Sequence, residues 1–450
     1  MSVAVVGAGP AGVRAVETLL AHGVQPVWID EAPRAGGQIY RRPPGNFRRG
    51  TQALYGFEAA KARRLHEAAD AAARRADYHP STLVWDVAEG SLQIAGPEGL
   101  GVVPYDALIL ATGATDRIIP LPGWTLPGVF TLGGAQIALK AQGVAIGRRC
   151  VFFGTGPLLY LLAYQYAKAG AQIAAVLDTA PASVKWAALP QLLARPGMLA
   201  KGVYYVGWLK AHGVFMAGGI EPLEVLGNAH VSGLRYRDGA GSERALAADA
   251  AAFGFGLRSE TQLADLAGCG FRFEPLNRQW LPEIDEEGRA RGVTNLYLAG
   301  DGAGIVGADA AELAGERAAL ALLADRGRAV PAARRRWIAG RLKRATDFRL
   351  GLERAFPFPA HLARQIADET ILCRCEAVTA GTLRASVAGI DAGELNRAKA
   401  FSRVGMGRCQ GRFCSGAAAE ILAAALAKDV ADVGRLRGQP PVKPVPVGAL

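Results

Sequence analysis

The sequence predicts an α/β fold in which one Rossmann-like dinucleotide-binding unit is inserted into another, followed by a small cysteine-rich domain. Two Gly-rich turns, beginning at Gly7 and Gly154, each follow a short apolar run and predict the two nucleotide-binding units. Four of the six cysteines lie beyond residue 370 and predict the third domain. The chain of 450 residues is long enough to give each domain its own core.

The first Gly-rich turn follows the predicted strand 3–6 and has the spacing GxGxxG. In this pattern Gly7 permits the tight turn, Gly9 leaves room for a pyrophosphate, and Gly12 lets the following helix pack on the strand. The start of that helix presents free N–H groups and the positive end of the helix dipole, and both attract phosphates. The predicted cofactor-binding residues of the turn are Gly7, Gly9, Pro10, Ala11 and Gly12.

An acidic pair follows the second predicted strand, which spans residues 24–29. Asp30 is the favoured ligand for the ribose hydroxyls of adenosine because it ends the strand, and Glu31 is the less favoured alternative. The next loop contains Gly37 and Gln38, which are predicted to lie along the cofactor. No cysteine follows Gly37, where disulfide-reducing flavoproteins carry a redox-active pair.

Two further strand–turn patterns predict that the dinucleotide is FAD. A buried strand leads to Thr112 and Gly113, an Ala-Thr-Gly turn that lets the backbone pass close to a cofactor. Another apolar strand delivers Gly300 and Asp301 to the start of a helix. Asp301 is predicted to accept a hydrogen bond from the ribityl chain of FAD, and a simple helix cap is the alternative.

The second Gly-rich turn differs from the first at its third glycine position, which is Leu159. A bulky side chain there disagrees with the close packing of helix on strand that this position normally allows. Asp178 ends the next predicted strand and would accept NAD but repel the additional phosphate of NADP. We therefore expect a Rossmann-like unit without efficient NAD(P)H turnover. The apolar run 250–256 is predicted to return the chain to the first unit.

The domain boundaries follow from these patterns and from the prolines that separate the linker from the last domain. They are 1–118 and 249–330 for the FAD-binding unit, 119–248 for the inserted unit, 331–365 for a helical linker, 366–438 for the cysteine domain and 439–450 for a Pro-rich tail.

The cysteine domain carries its thiols on two segments. One residue separates Cys373 from Cys375, and four residues separate Cys409 from Cys414. Four thiolates on two loops suit a [2Fe–2S] cluster. Zinc is the alternative, but its loops usually place two to four residues between cysteines. Four arginines lie close to these cysteines in sequence and are expected to offset the charge of the cluster: Arg374, Arg403, Arg408 and Arg412.

The bulk composition excludes several functional classes. The net charge is +11, yet aromatic residues make up only 7% and no nucleic-acid motif is present, so no nucleic-acid partner is expected. Polar residues interrupt the long apolar run 158–177, so no transmembrane segment is expected. We expect a cytoplasmic protein, and peripheral association with the inner membrane is the alternative. The six histidines are scattered, and no catalytic residue is predicted in this chain.

With these motifs the chain resembles the FAD-containing subunit of multisubunit amine and imino-acid dehydrogenases. That group includes opine oxidases, D-hydroxyproline dehydrogenase, hydrogen cyanide synthase and the N-terminal part of the sarcosine oxidase large subunit. The resemblance rests on the turns at 7–12, 30–38, 154–159 and 300–304. The cysteine domain is similar to the [2Fe–2S] module of bacterioferritin-associated ferredoxin, but four residues instead of two separate its second pair.

The resemblance implies an electron-transfer subunit that works with a catalytic partner of the D-amino-acid-oxidase type, which carries its own FAD. It also allows for an FMN at a subunit interface and for a small ferredoxin-like subunit. The substrates that it implies are opines, D-hydroxyproline or proline, glycine and sarcosine. A stand-alone NAD(P)H-dependent flavoprotein reductase with a fused [2Fe–2S] domain is the alternative.

Overall fold

The computed structural model describes residues 2–47, 49–390 and 392–446. Two five-stranded parallel sheets form the centres of the two nucleotide-binding units. In spatial order, the strands of the first sheet are Leu296–Leu298, Ala107–Leu110, Val3–Val6, Val27–Ile29 and Asp77–His79. Those of the second are Met216–Gly218, Gln172–Asp178, Arg149–Thr155, Ala250–Phe255 and Val129–Thr131.

Smaller antiparallel pieces and the helices surround these sheets. Two three-stranded sheets consist of Leu83–Ala88, Ser91–Gly96 and Gly99–Pro104, and of Glu221–Gly227, Val231–Arg237 and Glu243–Ala247. Three strand pairs are Ala114–Asp116 with Leu257–Ser259, Phe271–Glu274 with Gln279–Pro282, and Ile371–Cys373 with Val378–Thr379. The α-helices are Pro10–Ala21, Thr51–Tyr55, Ala59–Ala73, Leu132–Ile137, Pro157–Lys168, Ala182–Ala187, Leu189–Leu192, Pro196–Ala211, Gln262–Leu266, Ala308–Asp325, Ala332–Ala355, Ala360–Arg364, Ala380–Ile390, Leu395–Ser402 and Ser415–Ala425.

Two helices of the first unit touch backbone to backbone. The strand Val3–Val6 is buried along its whole length, as an apolar strand covered by helices should be. The helices Pro10–Ala21 and Ala308–Asp325 cross so closely that a Cβ added at Gly315 would lie 1.9 Å from the Ala11 carbonyl oxygen. This contact brings the first Gly-rich turn and the Gly-Asp turn together, although almost 300 residues separate them along the chain.

The prediction that residues 250–256 return the chain to the first unit is wrong. The strand Ala250–Phe255 lies in the second sheet and pairs with Arg149–Thr155 and Val129–Thr131. All six of its residues are buried, as befits an interior strand. The return occurs just afterwards, at the strand Leu257–Ser259. An entirely apolar run indicates a buried strand but not which of two similar sheets it joins.

The cysteine domain packs firmly on the second unit. Buried residues of this domain, such as Leu372 and Ile421, belong to the same hydrophobic core as Phe153 of the second sheet. Trp124 Nε1 also donates a hydrogen bond to the Ile371 carbonyl at 2.6 Å. The domain is therefore part of one packed body with the nucleotide-binding units.

The Pro-rich tail follows the surface of the first unit as far as residue 446. Val442 is buried, and its N–H donates to the Trp85 carbonyl at 3.0 Å. Residues 447–450 lie outside the described part of the chain. No helix within the described residues is both long enough and apolar enough to cross a membrane.

Candidate cofactor sites

The first Gly-rich turn leaves the start of the helix Pro10–Ala21 open to a ligand. Gly7 has a φ of +108°, a conformation that residues with side chains rarely adopt. A Cβ at Gly12 would lie 1.8 Å from the Gly7 carbonyl oxygen, so only glycine fits there. No side chain caps the helix at Gly9, and its first N–H groups are therefore available for a phosphate.

The loop that contains Gly37 packs directly on this turn. A Cβ at Gly37 would lie 2.7 Å from the Gly9 Cα, so the two backbones are in contact. Gln38 is exposed, and its side-chain oxygen accepts a hydrogen bond from Arg41 at 2.7 Å. The loop thus meets the turn through its backbone and not through the Gln38 side chain.

Of the two acidic residues after the second strand, Asp30 lies beside the Gly-rich turn. Its carboxylate accepts hydrogen bonds from the N–H of Ala8 and from the N–H of Ala32 at 2.7 Å. Burial raises the pKa of Asp30, although these hydrogen bonds oppose the shift. Glu31 instead forms an ion pair with Lys443 of the tail. Asp30 therefore organises the turn, and its contact with a ribose stays a prediction.

The Thr112-Gly113 turn is fastened to Glu260, a residue that sequence reasoning missed. Thr112 Oγ1 donates to the Glu260 carbonyl at 2.5 Å, and the Glu260 N–H donates to the Gly113 carbonyl at 2.9 Å. A Cβ at Gly302 would lie 2.5 Å from Thr112 Oγ1. The predicted Ala-Thr-Gly turn and the Gly-Asp turn therefore pack against each other.

Asp301 organises the loop that precedes the next helix. Its Oδ1 accepts hydrogen bonds from the N–H groups of Val306 at 2.9 Å and Gly307 at 3.0 Å. Among the described residues Oδ2 has no hydrogen-bond donor, which leaves this oxygen for a ligand. Gly300 lies against the first helix, since a Cβ there would lie 2.8 Å from the Ala11 Cβ. The loop-capping role and the predicted ribityl contact are thus compatible.

A buried lysine, Lys140, lies next to the loop that contains Gly37. Lys140 is 3% exposed, and its Nζ donates to the Ile39 carbonyl at 3.1 Å. Burial lowers the pKa of Lys140 to about 8. Its partner is 101 residues away, so no local sequence pattern identifies it.

The second Gly-rich turn has the same uncapped helix start as the first but differs from it at the third glycine position and in the partners of its acidic residue. Leu159 fills the third glycine position and has no exposed surface. Asp178 is also fully buried, and its carboxylate accepts hydrogen bonds from the Tyr160 hydroxyl at 2.8 Å and the Ala180 N–H at 2.9 Å. Lys185 adds an ion pair at 2.7 Å. A nucleotide ribose would have to displace these partners to reach Asp178.

The four predicted cluster ligands come together as two pairs of thiols. Cys373 interacts most strongly with Cys414, and Cys375 interacts with Cys409, while the charges of Cys409 and Cys375 also help to raise the pKa of Cys414. Among the described residues, no three His, Cys, Asp or Glu side chains form a group that could hold one metal ion. Two pairs suit a two-iron cluster bound by four thiolates. They suit tetrahedral zinc less well, because zinc needs all its ligands around one centre.

The surroundings of Cys373 favour its thiolate form. Its neighbour Cys414 contributes most to a lowered pKa of Cys373, which is about 6. The N–H groups of Gly405, Glu376 and Cys375 lower this pKa further, against the effect of burial. Because the thiolate is the form that binds metals, this environment favours cluster binding.

Two of the nearby arginines contact groups other than the thiols. Arg412 forms a bidentate ion pair with Glu260, with Nε–Oε2 and Nη2–Oε1 distances of 2.7 and 3.2 Å. Its Nη1 donates to the Cys409 carbonyl at 3.2 Å. Arg374 lies over the Trp124 ring, 5.5 Å from its centroid. Closeness in sequence therefore does not by itself bring these guanidinium groups onto the cysteine sulfurs.

The segment after the second sheet also holds the cluster loop, which we define as residues 409–414. Arg258 Nη1 donates to the Gly411 carbonyl at 3.3 Å. Gln262 Nε2 donates to the Gln410 carbonyl at 2.6 Å. These side chains fix one half of the cysteine ligands against the first unit.

Two family matches cover the two candidate sites. Residues 1–322 match the pyridine nucleotide-disulphide oxidoreductase family, and residues 371–424 match the BFD-like [2Fe-2S] binding domain. The chain belongs to the pyridine nucleotide-disulphide oxidoreductase family. Together the two matches confirm that this family member is a flavin oxidoreductase that binds FAD and a [2Fe–2S] cluster.

Relatives of this family member match nearly its whole length. An opine oxidase subunit from Agrobacterium tumefaciens is 39% identical over 99% of this chain and 90% of its own. Hydrogen cyanide synthase subunit HcnB from Pseudomonas aeruginosa is 33% identical over 99% of this chain and 96% of its own. Both are named as subunits, and the resemblance that the sequence motifs indicate is confirmed.

A solved structure has the same fold. The L-proline dehydrogenase from P. horikoshii superposes with a TM-score of 0.73 over 100% of this chain and 79% of its own, at 18% identity. Identity this low shows the fold alone. It confirms the predicted α/β architecture with a C-terminal extension.

Proposed function

We propose that this chain is the electron-transfer subunit of a multisubunit dehydrogenase that oxidises an amino-acid-derived amine. The observation that carries the proposal is the packing of the FAD-binding fold and the cysteine domain into one body. FAD exchanges electrons in pairs or singly, whereas a [2Fe–2S] cluster exchanges them singly. The likeness to opine oxidase and hydrogen cyanide synthase subunits supports a CH–NH or CH–NH2 donor, with opines, D-hydroxyproline or proline, glycine and sarcosine as candidates.

The residues that would hold the two cofactors follow from the contacts above. The uncapped helix start would bind the pyrophosphate, Asp30 the adenosine ribose, and Asp301 Oδ2 the ribityl chain. The remaining FAD residues are Gly7, Gly9, Pro10, Ala11, Gly12, Gly37, Thr112, Gly113 and Gly300. The two thiol pairs would bind the cluster, with Cys373 and Cys414 on one iron and Cys375 and Cys409 on the other.

The amine would be oxidised on a partner subunit of the D-amino-acid-oxidase type. There the carbon beside the nitrogen would lose a hydride to the partner's own flavin and the nitrogen would lose a proton, which together leave an imine. The two electrons then pass to this chain and onward to an acceptor. This arrangement is compatible with an FMN at the interface and with a small ferredoxin-like subunit.

An exposed apolar face is the docking surface that we assign to this partner. Trp186 is 72% exposed and Val203 is 63% exposed, both on helices inserted in the second unit. Exposed apolar residues of this size mark interaction surfaces. Three of the four lysines and arginines in residues 182–211 are already paired with acids of this chain, namely Lys185, Arg195 and Lys201, so the matching partner surface should be mainly apolar. The face adjoins the FAD-binding unit, since the Phe57 and Tyr204 rings lie 5.0 Å apart.

The functional proposal is tested by producing the chain with and without its partner subunit. We expect opines or D-hydroxyproline to reduce an artificial dye only when both subunits are present. The flavin of the isolated chain should not bleach on addition of any candidate amine. Bleaching of that flavin by substrate in the isolated chain would overturn the proposal, because the amine would then react here.

The docking surface is tested with Trp186→Glu. A buried aromatic anchor is worth about 2 kcal/mol or more, so partner affinity should fall at least about 30-fold. The matched control is Trp337→Glu, at a tryptophan that is 47% exposed on another helix. Titration calorimetry with the partner measures both variants, and equal affinities would contradict this surface.

A further inference from the structure

We propose that the ion pair between Glu260 and Arg412 positions the cluster loop against the FAD-binding turn and carries the electronic contact between the two cofactors. The inference rests on the proposed function, because it assumes that FAD and the cluster exchange electrons. Both residues are positioning residues, since neither is among the groups that would bind FAD or iron.

At the flavin end, Glu260 is held by the Ala-Thr-Gly turn. Its backbone both accepts from Thr112 Oγ1 at 2.5 Å and donates to the Gly113 carbonyl at 2.9 Å. Two hydrogen bonds in opposite directions fix this residue's position relative to the turn. The carboxylate of Glu260 then points out of the FAD-binding unit toward the cysteine domain.

At the cluster end, the ion pair between Glu260 and Arg412 is bidentate and largely buried. The side chain of Arg412 is 9% exposed and that of Glu260 is 15% exposed. Arg412 Nη1 donates to the Cys409 carbonyl at 3.2 Å and to the Val442 carbonyl at 2.6 Å. One guanidinium therefore binds the carboxylate from the FAD side, a cysteine of the cluster loop and the tail.

These contacts form an unbroken series of bonds and hydrogen bonds from Thr112 through Glu260 and Arg412 to Cys409. Electrons cross covalent and hydrogen bonds more readily than gaps between atoms, so this series is the route that we assign to the transfer. The step that they serve is the loss of one electron by the reduced flavin and the reduction of one ferric iron to ferrous. The low local dielectric also makes the cluster sensitive to the charge of either partner.

A second ion pair provides a matched control. Arg435 binds Asp265 in the same bidentate manner, at 2.6 and 2.7 Å, and joins the same two domains. Among the described residues Arg435 makes no hydrogen bond to the cluster loop. A purely structural role for ion pairs at this interface predicts equal effects from both.

The experiment uses the isolated chain with FAD and cluster bound. The flavin is reduced by a light flash with a deazaflavin, and the appearance of the reduced cluster is followed by absorbance and EPR. Glu260→Gln leaves Arg412 uncompensated and should favour cluster reduction about tenfold, which is about +59 mV. Arg412→Gln should shift the midpoint by the same amount in the opposite direction.

The double variant E260Q/R412Q separates charge from connection. Its two charge changes cancel, so the midpoint potential of the cluster should return to the wild-type value. Cluster reduction should nevertheless be at least tenfold slower than in the wild type. The control D265N/R435Q should keep the wild-type rate. Should the double variant lose a cofactor, Arg412→Lys replaces it, because this change keeps the positive charge but removes the bidentate contact with Glu260 and should slow the transfer several-fold.

Three results overturn the inference: a double variant that transfers at the wild-type rate, a control that slows equally, or an Arg412→Lys chain with unchanged transfer. Midpoint shifts of the same sign in the two single variants would also overturn it. None of these results depends on the partner. A chain that transfers electrons internally but receives none from its partner would instead refute the proposed function.

Discussion

The two Gly-rich turns have similar backbone conformations and differ in the side chain at their third glycine position. Each begins with a glycine of positive φ, +108° at Gly7 and +126° at Gly154, and each leads into a helix that starts with proline. At the third glycine position the first turn has room for no side chain, whereas Leu159 occupies the second turn completely. The first turn therefore accepts no side chain at this position, whereas in the second unit a leucine side chain is buried there.

The acidic residues after the second strands differ in the same sense. Within the described part of the chain, Asp30 accepts hydrogen bonds from backbone N–H groups alone. Asp178 is bound by Lys185 and by the Tyr160 hydroxyl, which saturate its outward oxygen. Equivalent positions of the two units thus make different contacts: backbone N–H groups surround the acid of the first, and an ion pair and a buried leucine occupy the second. The difference lies in the residue at the third glycine position and in the groups that bind the acidic residue after the second strand.

The largest effect should come from giving the first turn the side chain of the second. Gly12→Leu would force a side chain into the Gly7 carbonyl, so the free energy of unfolding should fall by more than about 4 kcal/mol. The purified chain should contain no FAD, as measured by its visible spectrum. The control Gly207→Ala adds a Cβ with no atom within 4 Å and should change stability by at most about 1 kcal/mol. A yellow Gly12→Leu protein would contradict the close packing.

The reverse change tests the second turn. Leu159→Ala removes a fully buried side chain and should cost about 3 kcal/mol, because a cavity remains. The FAD content should not change, since the second turn holds no FAD. Denaturant unfolding and the visible spectrum measure the two quantities. Leu158→Ala, at the half-buried neighbouring residue, should cost less than half as much.

Local patterns predict most of the open site. The run Val3–Val6 with its glycines, the strand Ala107–Leu110 and the four cysteines all follow from short segments with a distinctive spacing. The structure also brings the two strands together, as parallel neighbours in one sheet. The sequence therefore predicts the fold class and the residues of the cradle.

Long-range partners are what the sequence does not predict. Glu260 and Arg412 are 152 residues apart, and nothing near Glu260 marks it as the anchor of the cluster loop. The strand Ala250–Phe255 is misplaced by sequence reasoning for the same reason, since its apolar composition fits either sheet. Asp178 reads in the sequence as an open ribose site because Lys185 lies on a helix with no motif of its own.

The contact of Lys140 with the Ile39 carbonyl, between the two nucleotide-binding units, should make the stability of the chain depend on pH. Lys140 has a pKa of about 8 when folded and an ordinary value of 10.5, so the unfolded chain binds more protons between these values. The loss of stability caused by burying the charged form of Lys140 is complete below pH 8 and disappears as the pH rises toward 10.5. Lys140→Met should therefore stabilise the chain by about 2 kcal/mol at pH 7, after allowance for the lost hydrogen bond to Ile39.

Denaturant unfolding at pH 7 and pH 10 measures this difference, which should be much smaller at the higher pH. The exposed Lys343→Met serves as the control and should show no such dependence. A gain that stays constant from pH 7 to pH 10 would mean that Lys140 is not the group responsible.

The smallest effect separates charge from shape in the closed turn. Lys185→Met removes the ion pair but leaves Asp178 its bonds to Tyr160 and Ala180, so the cost should be about 1.5 kcal/mol. Stopped-flow mixing with NADH should give no flavin reduction in the wild type or in this variant, because Leu159 still occupies the third glycine position of the second turn. If NADH reduced the flavin of Lys185→Met alone, charge and not packing would be what closes the second nucleotide fold.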